Sequence, residues 1–173
     1  GKLALKGDVA SRSADMMGQS VRAKERELIA RLKQIYYDLF LADKAIQIHH
    51  EQINLLKQFF DIANAKFRAG KGAQVDVLKA QVELSVLHEK LPVLEQRRQT
   101  AQAMLNTLLD QDPRFPLASP QPPHEGRFNL DFEDLYRAAA TARPELKAAE
   151  LAVQRNEQSR ALAERQSSPD FTL

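Results

Sequence analysis

The side chains best suited by type to chemistry are four histidines, His49, His50, His88 and His124. Neutral imidazole is a common ligand of divalent transition metals, and a site needs three or four such donors converging on one point. The spacing argues against convergence. If the chain reverses near Lys71, His49 lies opposite about Val93 and His88 opposite about Asn54, which leaves the two about 6 to 8 Å apart along the helix axis. His49 falls on an apolar seam, His50 faces elsewhere, and His124 sits in a connector without a companion. Structural roles are expected, and no metal site is assigned.

Other chemistry fares no better. Acidic residues are plentiful but lie on highly charged helical surfaces, with no pocket where two carboxylates could share acid and base work. There is no nucleophile elbow, phosphate-cradling glycine loop or zinc-hydrolase signature. Ser11, Ser13 and Ser20 read as capping or surface residues. The basic run Arg22, Lys24, Arg26, Arg31 and Lys33 is interrupted by Glu25 and Glu27, a solvated face rather than a nucleic-acid stripe. No catalytic residue, cofactor or nucleic-acid partner is assigned. One segment is locally basic, with Lys66, Arg68, Lys71 and Lys79 against Asp76. Such a charged reversal can specify docking by complementarity, or simply keep a loop in water.

The elements that position these residues are helices. Of 173 residues 43% are hydrophobic but only 6% aromatic, which disfavours a β-sandwich. The 25 basic and 23 acidic residues nearly cancel, so net charge names no partner, and the absence of cysteine excludes disulfides and thiolate metal sites. No apolar run is long enough for a transmembrane helix, and the amino end has no signal-peptide core, so the chain reads as soluble as written. A chain opening on Gly1 reads as a processed piece of something longer.

Between Ser13 and Phe67 there is no proline and only Gly18 as a glycine, so a helix of roughly 80 Å is expected from Arg12 to Phe67. Leu28, Leu32, Ile35, Leu39, Ala42, Ile46, His49, Ile53, Leu56, Phe60, Ala63 and Phe67 alternate in threes and fours, the period of a coiled-coil seam. The seam resumes in Val77, Ala80, Leu84, Leu87, Leu91, Leu94, Arg98, Ala101, Leu105 and Leu108. A second row lies beside it: Ile29, Tyr36, Phe40, Ile48, Leu55, Phe59 and Ile62, then Val75, Leu78, Val82, Val86 and Val93. Helices with two apolar rows expect more than one neighbour. The linking RAGKGA holds two glycines, which permits a tight reversal and an antiparallel α-hairpin. Pro92 deprives the carbonyl of His88 of its donor and is expected to bend the second helix, either as plain curvature or as a hinge.

Five of the eight prolines fall in DQDPRFPLASPQPPHEGRFNL, an irregular connector whose Phe115, Leu117, Phe128 and Leu130 are expected to anchor it along the hairpin base. A short helix follows, with Asp131 as amino cap and Asp134 standing in for the glutamate of a capping box. A further helix opens at Pro144 and Glu145 and runs toward Gln166 through Leu146, Ala149, Val153 and Ala161, stopping before Pro169. The expected organisation is all-α: a long antiparallel coiled-coil hairpin over residues 8–110 with its tip at 68–72, a proline-rich connector with a short helix over 111–142, a helix over 143–169, and a strand entrance at 170–173.

The run FRAGKGAQVDVLKA resembles the hairpin-tip motif of TolC-like outer membrane efflux proteins: an aromatic, a glycine three residues on, a small polar residue, then Asp-x-Leu and a small residue. Phe67, Gly70, Ala73, Asp76, Leu78 and Ala80 fill those places, although the usual tyrosine is Phe67 here and the usual hydroxyl residue is Ala73. KQIYYDLFLADKAI resembles the middle of the family's first long helix, AMLNTLLDQDP the end of its returning partner, and RPELKAAELAVQRNEQSRALAERQSSPDF the start of its second internal repeat. The opening GKLALKG resembles the point where a barrel strand leaves the membrane, most closely in the heavy-metal cation-efflux branch.

The resemblance implies part of an α-barrel wall in a homotrimer, with barrel segments outside this sequence in the outer membrane of a Gram-negative bacterium and this portion in the periplasm. It implies passive conduction of substrates, metal cations among them, received from an inner-membrane efflux pump through a periplasmic adaptor protein. The adaptor would dock on Phe67, Arg68, Ala69, Gly70, Lys71 and Gly72, with Asp76, Val77 and Leu78 beside them. A periplasmic adaptor hairpin or another coiled-coil scaffold is the alternative. An adaptor would flank its hairpin with β-rich segments, where this chain has a proline-rich connector and another helix.

Overall fold

The computed structural model describes residues 1–123, 126 and 131–166. Four helices follow in order, α1 (Lys2–Arg68), α2 (Gln74–Leu108), α3 (Phe132–Ala142) and α4 (Pro144–Gln166), and no strand occurs among the described residues. The chain divides into two compact units, Arg31–Glu125 and Gly1–Ala30 with Gly126–Leu173.

In the first unit the distal part of α1 and the whole of α2 pair antiparallel. Ile35, Leu39, Ala101 and Leu105 form the core cluster, with Leu32, Tyr36, Leu108 and Leu117 packed on it. Burying each large aliphatic side chain contributes about 1.5–3 kcal/mol, so this cluster anchors the pair. Toward the tip, Ala42 and Ile53 are buried, whereas Ile46, Leu56, Phe60, Leu84, Leu87, Leu91 and Leu94 are half-buried. Two helices alone cover each other along one stripe, and the connector adds a third layer only at the base. Ile48, Leu55, Phe59, Ile62, Val75, Leu78, Val82 and Val93, all from the second row, are exposed, Ile62 at 52% and Val82 at 60%.

Leu28 and, at the reversal, Phe67 are the seam members left exposed. The ion pair between Asp43 and Arg98 sets the register; counting back to Leu28 and forward the same distance from Arg98 leads past the end of α2 at Leu108.

The connector is fastened more by its backbone than by its aromatic side chains. Asn106, fully buried at the end of α2, donates through Nδ2 to the carbonyls of Pro113 (3.1 Å) and Phe115 (2.8 Å), and Gln102 donates to Phe115 as well. Tyr36 Oη donates to the carbonyl of Gln121 and accepts from its N–H. Leu117 joins the core as expected, but the Phe115 side chain is exposed, because its carbonyl is what α2 holds. Phe128 and Leu130 lie outside the described residues.

In the second unit α1 is already helical at Lys2. The strand exit expected at GKLALKG is therefore replaced by helix, in keeping with the helix-forming Lys2, Leu3, Ala4 and Leu5. Asp131 caps α3, its carboxylate accepting from the N–H of Phe132 at 2.7 Å. Asp134 does not complete a capping box and pairs instead with Arg137 one turn on, at 2.9 Å. Arg26 of α1 donates to the carbonyl of Ala142 at 2.6 Å, a cation at the negative end of α3. Pro144 is buried at the first position of α4. The half-buried face that continues from it is Ala148, Leu151, Ala152, Arg155, Gln158, Ser159, Ala161 and Leu162, so Ala161 packs as expected while Leu146, Ala149 and Val153 are exposed. Residues 167–173, with Pro169 and the expected strand entrance, lie outside the described residues.

Candidate functional site

The site most sharply defined by the chain is the reversal between α1 and α2. The N–H of Lys71 donates to the carbonyl of Lys66 and that of Gly70 to Phe67, both at 2.9 Å. This nested pair is a Schellman motif, which requires its penultimate residue to be left-handed. Gly70 has φ +68°, the conformation that glycine adopts without a Cβ clash. Gly72 serves differently, since its φ is ordinary but its Cα lies against the backbone at Lys66 and Phe67. The two glycines are thus needed for unrelated reasons.

After them Ala73 caps α2 in extended conformation (φ −89°, ψ 140°) with no side-chain hydrogen bond, as the missing hydroxyl implies. Asp76 in the first turn places a negative charge at the positive end of α2. Phe67, Arg68, Ala69, Gly70, Lys71, Gly72, Asp76 and Leu78 are exposed together around the reversal, and Val77 is half-buried as the first seam residue of α2. Lys66 and Arg68 stand in the last turn of α1, where cations are favoured by its dipole. The reversal therefore presents basic groups and apolar edges in water on a backbone fixed by its own hydrogen bonds.

The histidines do not converge. His49 is 6% exposed, and its Nε2–H donates to the carbonyl of Leu87 at 2.6 Å, toward the tip from the Val93 opposite which spacing put it. A carbonyl can only accept, so Nε2 must carry the proton. His50 and His88 are exposed, and His124 lies outside the described residues. Among the described residues no three histidine, aspartate or glutamate side chains are grouped as metal ligands.

Several working residues escaped the sequence reading. Arg98 was placed on the seam, but its partner Asp43, 2.5 Å away, was not foreseen. A guanidinium in an apolar row is the signal that an acid must face it. Gln102 and Asn106, one turn apart, point toward a proline-rich stretch, a cue to backbone clamping. Asp110 has φ +56° and closes a second Schellman motif at the end of α2, with Gln111 donating to Asn106 at 2.9 Å and Asp110 to Thr107 at 3.3 Å.

Beside known proteins, the sequence pattern of the family described as outer membrane efflux protein matches residues 1–111. A solved structure titled "Structural insights of the outer-membrane channel OprN" aligns with 95% of this chain at a TM-score of 0.79 and 20% identity. At that identity the likeness concerns the fold, and this chain spans 37% of that channel's length. Among curated proteins none matches. No described helix is long and apolar enough to cross a membrane. The matched residues take in all of α1, the reversal and all of α2, and the chain belongs to the outer membrane efflux protein family, of the Gram-negative outer membrane, as an all-helical periplasmic portion.

Proposed function

We propose that this chain is the periplasmic portion of a homotrimeric outer-membrane channel that passively conducts substrates handed on by an inner-membrane pump through a periplasmic adaptor. The observation that carries the reading is the reversal at residues 67–72: exposed, locally basic, and, among the described residues, held by its own main-chain hydrogen bonds with Gly70 and Gly72. The exposed row Ile48, Leu55, Phe59 and Ile62 supports it, since a wall helix needs apolar surface left over for the next helix in the tube. Metal cations are the cargo suggested by the resemblance of GKLALKG to the cation-efflux branch.

The reading is tested in the parent channel. These 173 residues contain no cysteine; with any cysteine elsewhere in the parent replaced, Lys71→Cys and Lys57→Cys carry a photocrosslinker at the tip and at mid-hairpin respectively. Crosslinks to the cognate adaptor are expected from position 71 and not from 57. Crosslinks from 57 alone, or from neither, defeat the docking assignment. Loss of metal tolerance, rather than drug tolerance, in cells lacking the channel is the expected sign of a cation cargo.

A further inference from the structure

α2 has one built-in weak point. Pro92 lacks the N–H that would donate to the carbonyl of His88, yet the helix continues through it from Gln74 to Leu108. Facing it, α1 contains neither proline nor glycine between Arg31 and Phe67 and forms an uninterrupted support. Two polar links join the helices on either side of Pro92. Toward the tip, His49 Nε2–H donates to the carbonyl of Leu87; toward the base, Arg98 Nε donates to Asp43 Oδ1. The first link is shielded from water, with His49 at 6% exposure, and the second only partly, with side chains 32% and 19% exposed.

We propose that Pro92 is a flexing point of α2 and that His49 and Asp43 of α1 clamp it from both sides. The geometry of the two links is the main argument. Their anchors on α1 are about 9 Å apart along the axis and their ends on α2 about 16 Å apart, from the rise per residue. The links therefore converge on α1 as struts do. Parallel rungs would let one helix shear past the other, whereas converging struts fix both angle and register. The apolar seam cannot do this unaided. Leu87, Leu91 and Leu94 around Pro92 are half-buried, and apolar contact is non-directional. On the base side of Pro92, Ala42, Ala45, Val93 and Leu94 are among the residues that line an open groove of about 800 Å³. With the clamp intact, the segment from Gln74 to Leu91 holds its place against α1; with either strut cut, it swings about Pro92. The inference concerns the hairpin itself and does not depend on what the tip docks.

The absence of cysteine allows spin labels to be placed pairwise in the full chain. One pair, Lys57→Cys with Glu83→Cys, reports on the tip side of Pro92. The other, Lys33→Cys with Thr107→Cys, reports on the base. His49→Leu and Arg98→Met are each expected to widen the tip-side distance distribution about twofold and to leave the base pair unchanged. His49→Gln, whose amide N–H also reaches a carbonyl, restores the narrow distribution. Pro92→Ala returns the missing ladder bond, and on that background neither His49→Leu nor Arg98→Met widens anything. The proposal is overturned if either single variant leaves the tip pair narrow, if tip and base widen alike, or if the widening persists with Pro92→Ala. Should His49→Leu lose its helical signal, recovery in the double variant with Pro92→Ala supports the clamp and equal loss in both overturns it.

Discussion

The backbone of Gly72 lies so close to Lys66 that a Cβ at position 72 would stand 3.0 Å from the Lys66 Cβ and 3.2 Å from the backbone nitrogen of Phe67. Part of the obstacle is main chain, which cannot rotate away. Gly72→Ala is therefore expected to destabilise the hairpin by about 1–3 kcal/mol through overpacking. Gly70→Ala meets no neighbour but carries the left-handed backbone penalty of about 1 kcal/mol. Asparagine separates the two causes in urea denaturation: it should be tolerated at position 70 and as harmful as alanine, or more so, at 72.

At the other end of α2 the left-handed position is held by Asp110. Asp110→Gly keeps both Schellman bonds and removes the Cβ conflict, so it should raise stability by about 0.5–1 kcal/mol. Asp110→Val should lower it by more than that. Chemical denaturation of the three chains gives the order, and a destabilising Asp110→Gly would contradict the cap assignment.

Asn106 holds two connector carbonyls from a fully buried position, while its Oδ1 has no partner. Nitrogen must face the carbonyls, which fixes the amide orientation. Asn106→Ala leaves the Pro113 carbonyl without its donor and the Phe115 carbonyl to Gln102 alone, and opens a cavity, at a cost of about 2–3 kcal/mol. Trypsin cleavage after Arg114, in the released segment, should accelerate in parallel. An unchanged cleavage rate would mean that Gln102 alone is sufficient.

Tyr36 links the connector to α1 through one hydroxyl that gives and receives. Tyr36→Phe preserves the ring on the core and should cost only about 0.5–1 kcal/mol, since the freed groups of Gln121 are exposed to water. Faster hydrogen exchange at the Gln121 amide, with the core amides of Leu39 and Leu105 unaffected, is the expected signature.

How far the sequence could be read depended on how local the determining physics was. The seam from Leu32 to Phe60 and from Leu84 to Leu108 was legible because three-four spacing accumulates over many turns, and two glycines in RAGKGA mark a reversal by backbone sterics alone. The cap at Asp131 and the start at Pro144 were legible for the same reason. Cross-chain polar partners were not. Spacing puts His49 on the seam but does not say that its ring reaches toward the tip to Leu87, and the amides of Gln102 and Asn106 hint at a backbone clamp without saying that the chain returns to them at Phe115. Asp134 misled because an aspartate is a methylene shorter than glutamate and finds Arg137 before the cap. At GKLALKG a likeness to strand exits competed with plain helix propensity, and propensity won.

The C-terminal ends of α1 and α2 are each closed by main-chain bonds, with glycine indispensable at the first and no side chain of Arg68, Ala69 or Lys71 used to hold the turn. Surface chemistry and architecture at this tip are consequently separable variables. The three positions between Phe67 and Gly72 that are not glycine can be rewritten wholesale, reversing the local charge for instance, while the loop keeps its path.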